Sequence, residues 1–381
     1  MKIAYLTDYD SADINSWSGL GFYIRESLAK SGASVLPLGP LRQRYDALTR
    51  VKKLAYATLF KKNYIRNLDS LVVNSYVSQS NKLIQENKNA IDIIFSTSSM
   101  LLAELETEKP MAFWSDATFG GMLDFYSGFT NLSPETLECG HRLEQKALSR
   151  CSLAIYASEW AAKSALRHYD VDPNIIKVVP FGANLTCSRS ASDIRSLVAK
   201  KSTSTCNLLF IGVDWDRKGG DIALKVVQAL NEKGIQTKLH VAGCVPPKPL
   251  PSCVINHGYI SKGTTAGRNY LDRLFSQSHF LILPSKAECY GVVFAEASSF
   301  GLPSLSNNIG GIPTAIANGK NGWTIDPVDD ISTYTEIIAT IISNKEMYLL
   351  YSLLSFKEYT DRLDWRVSGR IAFECIRELL H

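Results

Sequence analysis

Short apolar runs alternate along the chain with segments whose apolar residues recur at helical spacing. Helical spacing covers Gly21–Ser31 and Glu135–Ser149 in the first half. The apolar runs predict buried strands at Lys2–Leu6, Ser34–Leu38, Ile91–Phe95, Pro110–Trp114, Leu153–Ala157 and Ile176–Pro180. Strands that alternate with helices form right-handed crossovers and parallel sheets, so the first half is predicted to be a parallel α/β domain.

A polar stretch, Thr186 to Cys206, separates this half from a second one with the same alternation. The second half contains a predicted helix over Gly220–Lys233. Its predicted strands are Leu208–Gly212, Lys238–Ala242, Cys253–Asn256, Phe280–Pro284, Ser304–Ser306 and Trp323–Ile325. We therefore predict two Rossmann-like domains, over 1–186 and 207–360, that face each other across a cleft. Residues 187–206 are predicted to be a linker, and residues 361–381 a C-terminal helix.

Size and composition agree with this class. The 381 residues suffice for two domains, and 45% hydrophobic and 20% charged residues are typical of a soluble globular protein. A net charge of +4 is too small to indicate a nucleic-acid partner. The eight cysteines include no C-x-x-C pair, so we expect reduced thiols and a cytoplasmic protein. The strand predicted at the N-terminus leaves no room for a signal peptide, and no apolar run is long enough to span a bilayer.

The turn between the strand at 280–284 and the next helix carries two glutamates. Glu288 lies in the loop at the carboxyl end of the strand, where open α/β sheets bind ligands, and Glu296 lies on the following helix. The amides of Tyr290, Gly291 and Val292 open that helix, and a helix N-terminus suits a phosphate. Carboxylates accept hydrogen bonds from sugar hydroxyls, so a phosphate-bearing ligand with hydroxylated ends is predicted.

These residues also resemble a family signature. The pattern E-x7-E, followed by G-L-P and G-G-I-P, is similar to the donor site of retaining glycosyltransferases of family 4, which have the GT-B fold. The resemblance implies that Glu288 contacts the transferred sugar and that Glu296 holds the nucleotide ribose. It also implies that Gly310 and Gly311 belong to the donor site. The implied reaction moves a hexose from a nucleoside diphosphate sugar to an acceptor hydroxyl with retention and without a cofactor.

A basic pair precedes the first helix of the second half. Lys218 lies six residues beyond Gly212, where a lysine can reach a diphosphate and stabilise the charge that grows as the glycosidic bond breaks. In family 4 an arginine typically follows the first glycine, but this chain has Val213 there. Arg217 is the candidate substitute. A solvated basic turn is the alternative interpretation for both basic residues.

Two positions in the first half are candidates by the same resemblance. Gly19 lies in the loop after the first strand, which in the family closes over the donor diphosphate and the acceptor hydroxyl. Asp116 follows a predicted strand at a position that commonly faces the acceptor, and the alternative is a helix-capping aspartate. The segment 361–381 resembles the GT-B crossover that returns the chain end to the first domain.

No metal is expected. Asp8-Tyr-Asp10 and Asp214-Trp-Asp216 look like the D-x-D motif of GT-A glycosyltransferases, but the chain lacks the single-domain layout of that class. GT-B enzymes stabilise the leaving group with basic side chains and helix dipoles instead.

The segment Arg42–Arg66 carries eight Lys or Arg against one acid, Asp46. These charges are interleaved with the large apolar residues Leu48, Val51, Leu54, Leu59, Phe60 and Ile65. Such a segment can lie on an anionic membrane surface, which would be the inner face of the membrane, and the alternative is a solvated basic helix packed on the sheet.

The expected acceptor is a glycan, a glycolipid or a small molecule, with cell-surface polysaccharide synthesis as the expected setting. Three other functions stay open. A GT-B nucleotide-sugar epimerase would turn over donor without acceptor. A Rossmann oxidoreductase is disfavoured because no G-x-G-x-x-G follows the first strand. A non-catalytic sugar-nucleotide-binding protein is the third.

Overall fold

The computed structural model describes residues 1–326 and 331–380, and the chain divides into two compact units. The first unit comprises Met1–Val179 together with the C-terminal residues from Ser368 onward, and the second comprises Pro180–Val367. The two halves of the alternating sequence pattern correspond to these two units.

Within the described residues, the first unit has one sheet of six parallel strands in the order β2-β1-β3-β4-β5-β6. The strands are β1 (Lys2–Leu6), β2 (Ser34–Leu38), β3 (Ile93–Ser96), β4 (Met111–Ser115), β5 (Leu153–Tyr156) and β6 (Ile176–Val178). The helices are α1 (Leu20–Lys30), α2 (Asp46–Ala55), α3 (Ser70–Glu86), α4 (Phe119–Met122), α5 (Pro134–Arg150) and α6 (Glu159–His168). Strands β3 and β5 are buried along their whole length, which explains why they read as continuous apolar runs.

The second unit, in the part of it that is described, also has six parallel strands, in the order β12-β11-β10-β7-β8-β9. The strands are β7 (Cys206–Ile211), β8 (Thr237–Ala242), β9 (Val254–Asn256), β10 (Phe280–Leu283), β11 (Ser304–Asn307) and β12 (Gly322–Ile325). The helices are α7 (Ala191–Lys200), α8 (Gly220–Glu232), α9 (Thr265–Gln277), α10 (Val292–Ser298), α11 (Ile312–Ala315), α12 (Ile331–Ile342), α13 (Lys345–Glu358) and α14 (Trp365–Glu378), whose residues from Ser368 belong to the first unit.

The predicted fold class is confirmed, since each predicted strand is present with its ends shifted by two residues at most. The predicted linker is wrong. Residues 187–206 contain α7, whose Ile194 is fully buried in one apolar cluster with Ala295 and Phe356. The other residues of α7 are exposed or only partly buried, so its polar composition reflects the solvent-facing side of a packed helix. The division between the units falls after Val179 instead of residue 186.

Helix α2 is packed with its polar side inward. Of its residues only Thr49 is buried, whereas Leu48, Val51 and Leu54 are each more than half exposed. The anchoring contacts are polar, because Lys52 Nζ donates to Asp69 at 2.9 Å and also pairs with Glu135. Arg66 pairs with Asp46 at the start of the helix. Helix α2 therefore does not pack through its large apolar residues, and the alternative of a solvated basic helix packed on the sheet stays open.

Among the described residues, no helix is long and apolar enough to cross a membrane.

Candidate active site

The strand order of the second unit reverses between β7 and β10. These strands are neighbours, with Leu208 beside Phe280, while the chain continues from β7 to β8 on the other side. In open α/β sheets the crevice at the carboxyl ends of two such strands is the usual ligand site. Lys218 follows β7 and Glu288 follows β10, so the topology brings together two candidates that are 70 residues apart in sequence.

The carboxylate of Glu288 lies between two cations. Its Oε2 accepts a hydrogen bond from Lys218 Nζ and is 3.7 Å from Arg217 Nη1. Arg217 Nη1 also donates to the carbonyl of Ala287 at 3.0 Å. Glu288 and Lys218 are both buried, which strengthens their interaction. Arg217 also pairs with Asp214, whose Oδ2 is 3.9 Å from its Nε, so two cations and two carboxylates meet at this crevice.

A glycine makes the close approach of the two loops possible. Gly219 has φ +76°, and a Cβ there would lie 2.0 Å from the carbonyl oxygen of Pro284. The amide of Lys286 donates to the carbonyl of Arg217 at 2.7 Å, which ties the two loops together. Gly212 acts through packing, because a Cβ would lie 2.8 Å from Lys218 Cγ. Its missing side chain makes room for the lysine.

Glu296 lies on α10 and is 1% exposed. Its Oε1 accepts a hydrogen bond from Lys262 Nζ, and no other donor among the described residues reaches its side chain. The sequence analysis missed Lys262, which belongs to no motif. The signal that could have indicated such a partner is the buried acid itself, because a buried carboxylate needs a cation or several donors.

The other predicted donor-site residues serve the turn around Glu288. Gly291 has φ +85° and caps α10. Tyr290 is buried and its hydroxyl donates to the carbonyl of Phe181 at 2.7 Å. The amide of Gly311 donates to the carbonyl of Glu288 at 3.0 Å. Gly311 therefore holds the Glu288 loop with its amide and does not offer that amide to a ligand.

Gly310 has φ +56° at the same turn, and Val292 is half-buried at the first position of α10.

The D-x-D acids of the second unit have local partners. Asp214 Oδ1 accepts from the amide of Arg217 at 3.0 Å, and Asp216 pairs with Lys286 at 2.7 Å. In the first unit Asp10 Oδ1 accepts from the amide of Ala12 at 2.8 Å. Over the ranges 1–326 and 331–380, no three His, Cys, Asp or Glu side chains are grouped so that they could hold a metal ion.

Two further candidates, Gly19 for the donor and Asp116 for the acceptor, belong to the first unit. Gly19 has φ +86° and precedes α1, at the end of a turn in which Trp17 and Ser18 also have positive φ. Asp116 is half-buried directly after β4. Asp8 follows β1, and burial raises the pKa of its carboxyl above the ordinary value.

Solved structures share this architecture over the whole chain. Sucrose-phosphate synthase from Thermosynechococcus elongatus is similar with a TM-score of 0.69 at 15% identity, covering 100% of this chain and 99% of that one. HepE of Anabaena in complex with UDP-glucose has a TM-score of 0.63 at 17% identity, covering 100% of both chains. Together with the two six-stranded parallel sheets, this similarity defines a GT-B fold.

Sequence similarity points to glycosyltransferases as well. Residues 199–352 match the family model for glycosyl transferases group 1. The D-inositol 3-phosphate glycosyltransferase of Rhodococcus jostii is 26% identical over 196 residues, which are 48% of this chain and 43% of the relative. The chain spans about half the length of the curated relatives it matches. In sequence and in fold the chain is therefore similar to family 4-like glycosyltransferases.

Proposed function

We propose that the protein is a retaining glycosyltransferase that moves a hexose from a nucleoside diphosphate sugar to an acceptor hydroxyl, without a metal or another cofactor. The main support is the group formed by Arg217, Lys218 and Glu288. This group lies in the second unit at the carboxyl ends of β7 and β10, where the strand order reverses. The two cations at this crevice suit a diphosphate, and the neighbouring carboxylates suit sugar hydroxyls.

The proposed roles rest on the family resemblance, and the contacts of the side chains support them. Lys218, with Arg217 beside it, stabilises the diphosphate as the glycosidic bond breaks. Glu288 accepts hydrogen bonds from the sugar. Glu296 keeps one oxygen for Lys262 and offers the other to the ribose hydroxyls. In the first unit, Asp116 orients the acceptor hydroxyl, and the loop of Gly19 closes over the donor diphosphate and the acceptor. In retention of this kind the acceptor attacks on the leaving-group face, and the departing phosphate helps to deprotonate it.

The donor base, the sugar and the acceptor are tested together. We would incubate the protein with UDP-, GDP- and ADP-hexoses, with and without acceptors, and measure release of the nucleoside diphosphate. The acceptors include D-inositol 3-phosphate, because the Rhodococcus jostii relative is named for it. The donors include UDP-glucose, which is bound in the HepE structure.

Acceptor-dependent release that persists in EDTA and yields the same anomeric configuration supports the proposal. Epimerised donor in the absence of any acceptor would identify a nucleotide-sugar epimerase instead. Binding of a donor without turnover of any kind would identify a sugar-nucleotide-binding protein. Glu288→Gln is compared with the wild type in the same assays, because it keeps the shape of the side chain and removes the negative charge that faces Lys218.

We also propose that α2 docks the protein on the cytoplasmic face of an anionic membrane, with a glycolipid or another cell-surface glycan as the acceptor. Leu59 and Phe60, which follow α2, are 75% and 62% exposed, and Lys53 and Lys61 are exposed beside them. An exposed apolar stripe flanked by cations suits a surface of anionic headgroups over acyl chains. The eight free cysteines agree with a reducing compartment.

A further inference from the structure

A second cavity lies at the opposite edge of the sheet from the candidate active site. Its volume is about 530 Å³, within the range of roughly 300–1,000 Å³ that is usual for small-ligand sites. It is lined at the amino ends of the strands by Cys206 at the start of β7, by Gln236 before β8 and by His279 before β10. The candidate active site lies at the carboxyl ends of the same strands.

The lining of this amino-edge cavity is cationic and rich in hydroxyl groups. Arg195, Lys201 and Lys345 line it, and none of its described lining residues is an aspartate or a glutamate. The run from Ser202 to Thr205 supplies hydroxyl groups, and Gln236 supplies an amide. Three cations without a carboxylate favour a multiply charged anion, and the hydroxyl and amide groups favour a ligand that carries hydroxyls.

Lys201 is the unusual member of this lining, because it is only 8% exposed and has no carboxylate partner among the described residues. Its Nζ donates to the hydroxyl of Tyr348 at 2.8 Å, and that hydroxyl donates to the carbonyl of His279 at 2.9 Å. Burial lowers the pKa of Lys201 to about 7. A buried ammonium group without a counter-charge is costly, and a bound anion would supply that charge.

His279 lines the same cavity and adds no second positive charge beside Lys201. Its Nδ1 accepts from the amide of Asn207 at 2.9 Å, and its Nε2 donates to the carbonyl of Ser202 at 3.0 Å. Both ring nitrogens are therefore used, and the ring is held in its neutral form. Burial, reinforced by Lys201, lowers the pKa of His279 to about 4.

We propose that the amino-edge cavity binds a small hydroxylated phosphomonoester, with Lys201 as the buried phosphate contact and Arg195 and Lys345 at the rim. A phosphate dianion matches several cations better than a single carboxylate does, and the arginine fork fits its oxygens. The site is separate from the donor site, so it offers a place where a phosphorylated metabolite can act on the second unit.

Binding at this cavity should take up a proton. Lys201 is partly neutral near pH 7.5 and becomes fully charged beside a phosphate. Of the groups that face it, burial raises the pKa of Cys206 to about 12 and lowers that of His279 to about 4, so neither titrates near that pH. Arg195 and Lys345 add fixed positive charge at the rim.

The test is calorimetric titration of the full chain with glucose 6-phosphate at pH 7.5, in two buffers that differ in ionisation enthalpy. Glucose and inorganic phosphate are titrated separately to divide the affinity between hydroxyls and phosphate. We expect glucose 6-phosphate to bind with proton uptake, and affinity to fall as the pH rises from 7.5 to 9.

Lys201→Met should weaken binding by about tenfold or more, as expected for the loss of a charge-assisted hydrogen bond, and should abolish the proton uptake. Lys345→Gln changes an exposed residue at the rim and should weaken the binding of glucose 6-phosphate while proton uptake is retained. This variant tests the proposal if Lys201→Met does not fold. Glu296→Gln, in the candidate active site, should leave this binding unchanged. Absence of binding to the wild type, or equal binding to Lys201→Met, would overturn the proposal.

Discussion

Two buried carboxylates, Glu288 and Glu296, each hold a lysine that comes from a different loop. In the dry interior such a pair is strong, but removal of one partner leaves an uncompensated charge. Any substitution at Lys218 or Lys262 therefore changes stability as well as ligand binding. Kinetics of these variants must be compared with their melting temperatures.

Lys218→Ala should lower kcat far more than it weakens binding of a nucleoside diphosphate, because its charge matters most as the diphosphate departs. Steady-state kinetics and calorimetric titration measure the two quantities separately. Arg217→Ala is the matched control from the same loop. Its guanidinium stays 3.7 Å from Glu288 without the closer hydrogen bond of Lys218, so a smaller loss is expected. A raised KM with unchanged kcat in Lys218→Ala would remove the lysine from the catalytic role.

Glu296→Ala should weaken binding of the free nucleoside diphosphate by about 1.5–3 kcal/mol, the range for a hydrogen bond to a charged group. The ribose contact exists with or without the sugar, so titration of UDP, GDP and ADP suffices. Lys262→Met is the control, because it keeps the carboxylate and removes only the partner seen here. Wild-type affinity in Glu296→Ala would show that the ribose is held elsewhere.

At the scale of elements, the strands were predictable because they are buried on both faces and read as apolar runs of strand length. The loop that carries Glu288 was predictable for the same reason, since it follows β10 directly. The contacts across loops were not. Nothing in the local pattern links Lys262 to Glu296, because their pairing depends on the order of strands in the sheet.

Helices α7 and α2 show two ways in which composition misleads. Helix α7 buries Ile194 and reads as polar, so it resembled a linker. Helix α2 has a clear apolar stripe, which normally indicates the buried side of a surface helix. Here ion pairs of Lys52 with Asp69 and Glu135 anchor the polar side, and the stripe faces outward. Only the partners on neighbouring elements decide which side is buried.

The outward stripe predicts membrane binding with two separable parts. Wild-type protein should sediment with vesicles that contain anionic lipid. Lys53→Gln with Lys61→Gln should weaken this by about thirtyfold at low salt, since each basic side chain near such a surface contributes about 1 kcal/mol. Salt should reproduce this loss by screening. Leu59→Ser with Phe60→Ser should weaken binding at both low and high salt.

Lys52→Gln is the control for this experiment. Lys52 pairs with Asp69 and Glu135, so its substitution should lower the melting temperature and have a smaller effect on vesicle binding. Wild-type protein that stays in the supernatant beside anionic vesicles at low salt would mean that α2 does not dock on lipid. We would then expect the acceptor to be a soluble sugar or a small molecule instead of a glycolipid.

At the scale of the whole molecule, the two units hold buried titratable groups of opposite kind. In the first unit, burial raises the pKa of the Glu144 carboxyl to about 7. In the second, burial lowers the pKa values of His240 and His279 to about 4. Below about pH 7, Glu144 of the first unit is therefore protonated when the unit is folded and ionised when it is unfolded. His240 and His279 of the second unit are neutral when the unit is folded and protonated when it is unfolded.

Acidification from pH 7 to 5.5 should therefore change the stability of the units in opposite directions. Glu144 is protonated in the folded state and ionised in the unfolded state between its ordinary value near 4.5 and about 7, so the free energy of unfolding of the first unit rises as the pH falls. Between about pH 4 and 6.5, His240 and His279 are neutral in the folded protein and protonated in the unfolded chain. The free energy of unfolding of the second unit therefore falls as the pH falls. Hydrogen exchange of strand peptides from each unit, corrected for intrinsic rates, measures the free energy of unfolding of each unit.

Glu144→Gln should abolish the increase in the free energy of unfolding of the first unit. The lowered pKa of His141 opposes that increase. His240→Gln should reduce the decrease in the free energy of unfolding of the second unit. Parallel weakening of both wild-type units, with the same weakening of the first unit in Glu144→Gln, would show that Glu144 is ionised in the folded protein at pH 5.5.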